Sequence, residues 1–279
     1  MPYRRRKTVD LLARGLCMAA TLVAVIPLVS VLVYVAGSGL GGLSWDFFTQ
    51  LPAPVGESGG GMKNAIAGTL ILVGLAGSVG IPVGVMAGVY LAEFGTSRFG
   101  YAVRFAADVM SGVPSIAVGI FAYTLVVLTM GHFSALAGGF ALGILMLPTI
   151  TRTTEELLKL VPASLREAAL ALGVPKWKVI VRIVLATAAP GIATGVMLAV
   201  ARVAGETAPL LFTALNSRFW STALDQPIGS LSVQIYTYAV APYDDWHRQA
   251  SAAALVLVTM VLLLNIGARL LFRTRGGSR

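Results

Sequence analysis

Read from the N-terminus, the chain alternates long apolar runs with short polar ones. Leu16 to Ala36 carries no charge over about 20 residues, enough to cross roughly 30 Å of hydrocarbon. Five further runs follow: Ala65 to Leu91, about Pro114 to Met130, about Ala135 to Ile150, about Ala188 to Leu215, and Ala250 to Phe272. Each reads as a membrane-spanning helix. The pattern predicts an all-α polytopic membrane protein with six spans and one domain over residues 1–279, without a strong internal repeat. In the second run Gly68, Gly74, Gly77, Gly80, Gly84 and Gly88 suit close helix packing, and Pro82 marks a kink.

One stretch breaks the apolar pattern. Between Arg152 and Arg182 lie Arg152, Glu155, Glu156, Lys159, Arg166, Glu167, Lys176, Lys178 and Arg182. Residues 152–186 therefore read as an island between spans. Ser164 and Glu167 have the spacing of a capping box. Leu165, Ala168, Ala169 and Leu172 then share one apolar face. Gly173 is placed to end the helix and Pro175 to open a second amphipathic piece, Lys176 to Leu185. A short helix of this kind, hung between spans, is suited to docking on another protein. Glu93 to Asp108 reads as a polar connection and Arg218 to Gln249 as the longest late loop.

Composition agrees with this reading. The chain is 57% hydrophobic and 12% charged, against roughly 25% charged in soluble domains. A net charge of +9 would suggest nucleic acid in a soluble protein; here topology accounts for it. With both termini cytoplasmic, all but four of the 21 lysines and arginines fall on cytoplasmic segments, the exceptions being Lys63, Arg202, Arg218 and Arg248. The run after Arg4, Arg5, Arg6 and Lys7 is longer than a signal-peptide core, so it is expected to stay as an anchor.

Several chemistries find no support. Gly59-Gly60-Gly61-Met62-Lys63 lacks the Ser or Thr of a phosphate-binding loop, and no G-x-x-x-x-G-K-[ST] occurs, so no nucleotide is expected on this chain by that route. His132 and His247 lack ligand spacing, and no metal site is expected. Cys17 is the single cysteine and is expected to pack. Asp244 and Asp245 read as solvated surface. No nucleophile and base stand together at membrane depth, so an enzyme is not expected.

Arg202 is out of place in an apolar span. It is roughly 30 Å from Arg182 and 24 Å from Arg218 along a continuous helix, near mid-membrane. A central arginine costs about 2.5–3.5 kcal/mol and faces a partner or an aqueous path. Glu206, four residues on, shares its face. Pro209 lacks the N–H that would bond the carbonyl of Gly205, which puts a kink beyond the pair. A structural ion pair and an anion-binding arginine both fit; guanidinium offers a fork matched to oxyanions.

Glu167-Ala168-Ala169, with Gly173 four residues on, resembles the EAA loop of binding-protein-dependent ABC-importer permeases, which docks on an ATPase subunit. Gly112-Val113-Pro114-Ser115 resembles a signature of phosphate permeases. Ala201 to Leu215, with Phe219-Trp220-Ser221-Thr222 and Gln226-Pro227, closely resembles the matching part of the PstA family of phosphate-importer permeases. The resemblance covers nearly the whole chain from the second span onward. It implies a type I (MetI-like) importer fold in a bacterial inner membrane. It also implies Arg202, Glu206 and Thr207 on the substrate path, and Arg166, Glu167, Ala168, Ala169, Leu172 and Gly173 in coupling. Implied partners are a PstC-like permease, a PstB-like ATPase dimer and a PstS-like periplasmic binding protein, with ATP and magnesium held by the ATPase. Sulfate, molybdate or phosphonate as cargo, and a phosphate-sensing membrane protein, are the alternatives.

Overall fold

The computed structural model describes residues 3–276, with the side chains of Arg4 and of residues 271–276 left aside. Arg279 and the side chains of Arg273 and Arg275 lie outside the described residues. The described residues are mostly helical, and their helices are α1 (Tyr3–Leu40), α2 (Trp45–Thr49), α3 (Lys63–Phe94), α4 (Arg98–Gly112) and α5 (Ser115–Met130). They continue with α6 (Ala135–Lys159), α7 (Ala163–Ala171), α8 (Lys176–Ala204), α9 (Ala208–Leu211), α10 (Leu231–Ala239) and α11 (Asp244–Gly276). Helices α1, α3, α6, α8 and α11 are long and apolar enough to cross a membrane. Taking α4 and α5 as one bent span makes six.

Helix α4 replaces the expected polar connection. Its N-cap is Ser97, whose hydroxyl accepts from Gly100 N–H at 3.1 Å. It ends where Val113 must be extended because Pro114 follows, and the chain turns by 107° into α5. At 16 residues α5 is roughly 24 Å long, and a π-helical turn over Tyr123–Val127 interrupts it.

The core is built on α3 and α6. A Cβ on Gly84 would meet Ile150 at 2.8 Å, and one on Gly88 would meet Thr154 Cβ at 2.5 Å. Small residues thus bring two backbones together, as close membrane-helix packing requires. Gly74, expected to share this role, faces open space, and α3 continues through Pro82 as one helix. Leu72, Ala76, Leu142, Met146 and Ile150 fill the seam, joined by Val200 and Val203 of α8 and Leu210 of α9. Helix α1 meets α11 at one end only, where Gly39 and Gly42 lie against Ser251 and Arg248. Cys17 is therefore exposed instead of packed.

The late loop contains a helix, α10, and the first turns of α11. Ser230 caps α10, and α11 starts at Asp244, six residues before the expected span. Asp244 and Asp245 sit in its first turn, where acids suit the helix dipole. Asp245 accepts from Gly59 N–H at 3.2 Å and so is a structural anchor. Tyr238 and Trp246 stack at 4.3 Å in the core, while Phe219 and Tyr236 stay exposed.

Candidate anion path and coupling surface

The fifth span differs from expectation at both ends. It begins at Lys176, so the second amphipathic piece is its first turns, and it stops at Ala204 instead of running to Leu215. Gly205 caps it. Pro209, four residues on, can neither supply an N–H to the Gly205 carbonyl nor tolerate it in a helix. Arg202 is thus in the last turn of a helix, where a cation is favoured by the dipole.

It nonetheless stands level with the middle of two neighbouring helices. Gly191 and Gly195 lie against Leu157 and Thr153 of α6. About two turns further on, that antiparallel register sets Arg202 level with Met146, near the middle of α6. Gly80, near the middle of α3, packs on the same Met146. The link from Gly205 to Thr207 is therefore irregular backbone beside the middle of α3 and α6. Such backbone persists in membranes only when buried in protein or lining a water-filled cavity.

Arg202 Nε stands 3.8 Å from Glu206 Oε1, with the arginine side chain 48% and the glutamate side chain 17% exposed. At that distance the pair is an electrostatic contact and not a hydrogen bond, so the guanidinium fork keeps its donors. Glu206 is held from behind, since Ser232 Oγ donates to its backbone carbonyl at 2.9 Å. The Thr207 carbonyl starts α9, accepting from Leu210 and Leu211 N–H. An open arginine beside a half-buried carboxylate can bind an anion and release it, as passage requires. A groove of about 1280 Å³ between α3 and α11 is lined by apolar side chains with Ser78 and Thr259, and no charged residue is among its lining.

The second site is α7. Its N-cap is Pro162 and not Ser164, and Leu165 N–H bonds the Pro162 carbonyl at 3.2 Å. Proline's fixed φ starts the helix early and leaves Ser164 inside it, so Glu167 is exposed and caps nothing. The C-terminus follows expectation. Gly173 is left-handed, φ 75°, and its N–H bonds Leu170 while that of Val174 bonds Ala169, closing a Schellman motif. The expected apolar face divides. Ala169 is buried, Ala168 is exposed, and Leu165 and Leu172 are 44% and 84% exposed. Leu165 and Leu172 thus form an exposed apolar patch on a short helix between spans.

Arg166 points the other way. Its Nη2 meets Glu93 Oε1 of α3 at 3.0 Å and the Leu158 carbonyl at 2.8 Å, and Nη1 meets the Val161 carbonyl at 3.2 Å. A second guanidinium staples the same end of the bundle. Arg104 of α4 donates to Glu155 of α6 and to the Gly95 and Leu91 carbonyls at the C-terminal end of α3, at 2.9 and 3.0 Å. Glu155 is fully buried and also accepts from Arg152 at 2.9 Å and Lys159 at 2.6 Å. Sequence reasoning missed this joint, although Gly100, Arg104 and Ala107 already have helical spacing.

Residues 80–274 match the family model described as binding-protein-dependent transport system inner membrane component. The chain is similar to the phosphate transport system permease protein PstA of Yersinia pestis, with 48% identity, covering 97% of this chain and 91% of that one. The Haemophilus influenzae PstA is 46% identical, covering 96% and 95%. Among solved structures it resembles a bacterial alginate ABC transporter in complex with an alginate-bound periplasmic protein. That match has a TM-score of 0.65 and 15% identity, and covers 95% of each chain. It also resembles the MetNI methionine ABC transporter in an inward-facing conformation, with a TM-score of 0.61 and 18% identity, covering 77% of this chain and 94% of that one. At those identities the structures speak for the fold alone, that of the type I importer permeases. The chain belongs to the binding-protein-dependent transport system inner membrane components, and within them to the PstA phosphate-transport permeases.

Proposed function

We propose that this chain is one permease subunit of an ATP-driven importer and carries inorganic phosphate across the inner membrane. The observation that carries this reading is Arg202, an open guanidinium at mid-membrane where a helix stops. Arg202, Glu206 and Thr207 form this chain's half of the path, and a PstC-like permease supplies the other half. A PstS-like periplasmic protein delivers phosphate to the outer face, where exposed Phe219 and Tyr236 are available for contact. ATP and magnesium belong to a PstB-like ATPase dimer, which seats on Leu165, Glu167, Ala168 and Leu172 of α7. Arg98 and Arg104 of α4, Arg152 and Lys159 of α6, Arg166 of α7 and Lys176 and Lys178 of α8 support an orientation with both termini in the cytoplasm.

The test is radiolabelled phosphate uptake by cells carrying Arg202→Gln, with assembly checked by co-purification. Uptake is expected to be lost while the complex assembles. Normal uptake would make Arg202–Glu206 a structural pair. Competition by sulfate and molybdate in wild-type cells reads the cargo, and phosphate uptake is expected to resist both.

A further inference from the structure

The coupling surface and Arg202 lie at different depths, and one bent element covers the distance between them. At its lower end α4 is held by Arg104 to α6 and to the end of α3. Arg166 ties α7 to those same two helices. After the 107° turn at Val113–Pro114, α5 lies on α9 with no side chain between. A Cβ on Gly119 would stand 2.6 Å from Pro209 Cα and 3.3 Å from its carbonyl oxygen. Pro209 is buried, three residues after Glu206. Backbone on backbone leaves no rotamer to absorb a displacement, so a shift of α5 moves α9 and the link before it.

We infer that Gly119 is a positioning residue, which lets α5 rest directly on Pro209 and thereby ties the Arg202–Glu206 pair to the α4–α5 elbow and, through Arg104, to the base of the coupling helix. This rests on the reading of Arg202 as part of the anion path. Alanine is a better helix former than glycine, so Gly119→Ala acts through the contact and not through the helix.

The experiment uses the whole importer, purified and reconstituted in vesicles with its binding protein and phosphate. Phosphate moved and ATP hydrolysed are measured together. Gly119→Ala is expected to assemble and to hydrolyse ATP near the wild-type rate, with phosphate moved per ATP falling about tenfold. Gly112→Ala, on the same elbow but facing open space, is expected to leave the ratio unchanged. An unchanged ratio in Gly119→Ala overturns the inference. Should that variant not assemble, Arg104→Gln cuts the linkage at its other end, leaving Glu155 paired with Arg152 and Lys159. The same drop supports the linkage and an unchanged ratio overturns it. Normal uptake by Arg202→Gln beside a lowered ratio in Gly119→Ala sinks the path reading alone.

Discussion

Arg166 and Glu93 are 73 residues apart in sequence and meet at 3.0 Å, joining the helix that projects from the bundle to the end of α3. The glutamate side chain is 9% exposed, so removal of its partner leaves a nearly buried carboxylate with one cation fewer. Arg166→Met is expected to lower the stability of the solubilised complex by about 2 kcal/mol. Glu93→Gln, which keeps an acceptor, should lower it by less. Thermal denaturation in detergent checks both, and no loss in Glu93→Gln would show that the charge contributes nothing beyond the hydrogen bond.

Leu172 has the opposite character. It is 84% exposed and supports nothing within the chain. Leu172→Asp should leave chain stability within about 0.5 kcal/mol and still abolish capture of the ATPase subunit. Co-purification decides, and full retention of the ATPase would move the docking face elsewhere on α7.

On the proposed path, Glu206 competes with the anion for Arg202, 3.8 Å away. Glu206→Gln removes the competing charge, and phosphate should then be held longer. Maximal uptake is expected to fall about tenfold with the complex intact. Faster uptake in this variant would mean that Glu206 acts as an obstacle and not as a release partner.

The α3–α6 seam has no spare volume at Gly88. Gly88→Val places a branched side chain against Thr154, and about 1–3 kcal/mol of destabilisation is expected from overpacking. Gly74→Ala, which faces open space, should be near neutral. Yield and melting temperature of the two variants provide the comparison.

Hydropathy made the spans legible, because a long uncharged run has few alternatives to a membrane helix. The cap at Gly173 was legible for a similar reason, since a left-handed residue after an amphipathic helix is nearly always glycine. Other features were not. Ser164 has the right spacing for a capping box, but Pro162 fixes the entry two residues earlier. The depth of Arg202 was inferred from a continuous helix that does not exist. Arg202 instead lies in the last turn of α8, level with Met146 of α6, because α8 starts twelve residues before Ala188 and stops early. The Arg104–Glu155 joint depends on a fold-back between α4 and α6, which no local pattern contains.

Helix α8 ends halfway, and this bears on how the protein is made. A ribosome-bound insertase handling this chain alone releases into lipid a helix whose last turn carries a half-exposed arginine. The isolated chain bears that cost of about 2.5–3.5 kcal/mol for the arginine until something covers it. Surplus copies should therefore be substrates for membrane proteases, and the abundance of this chain should follow that of whichever subunit shields Arg202.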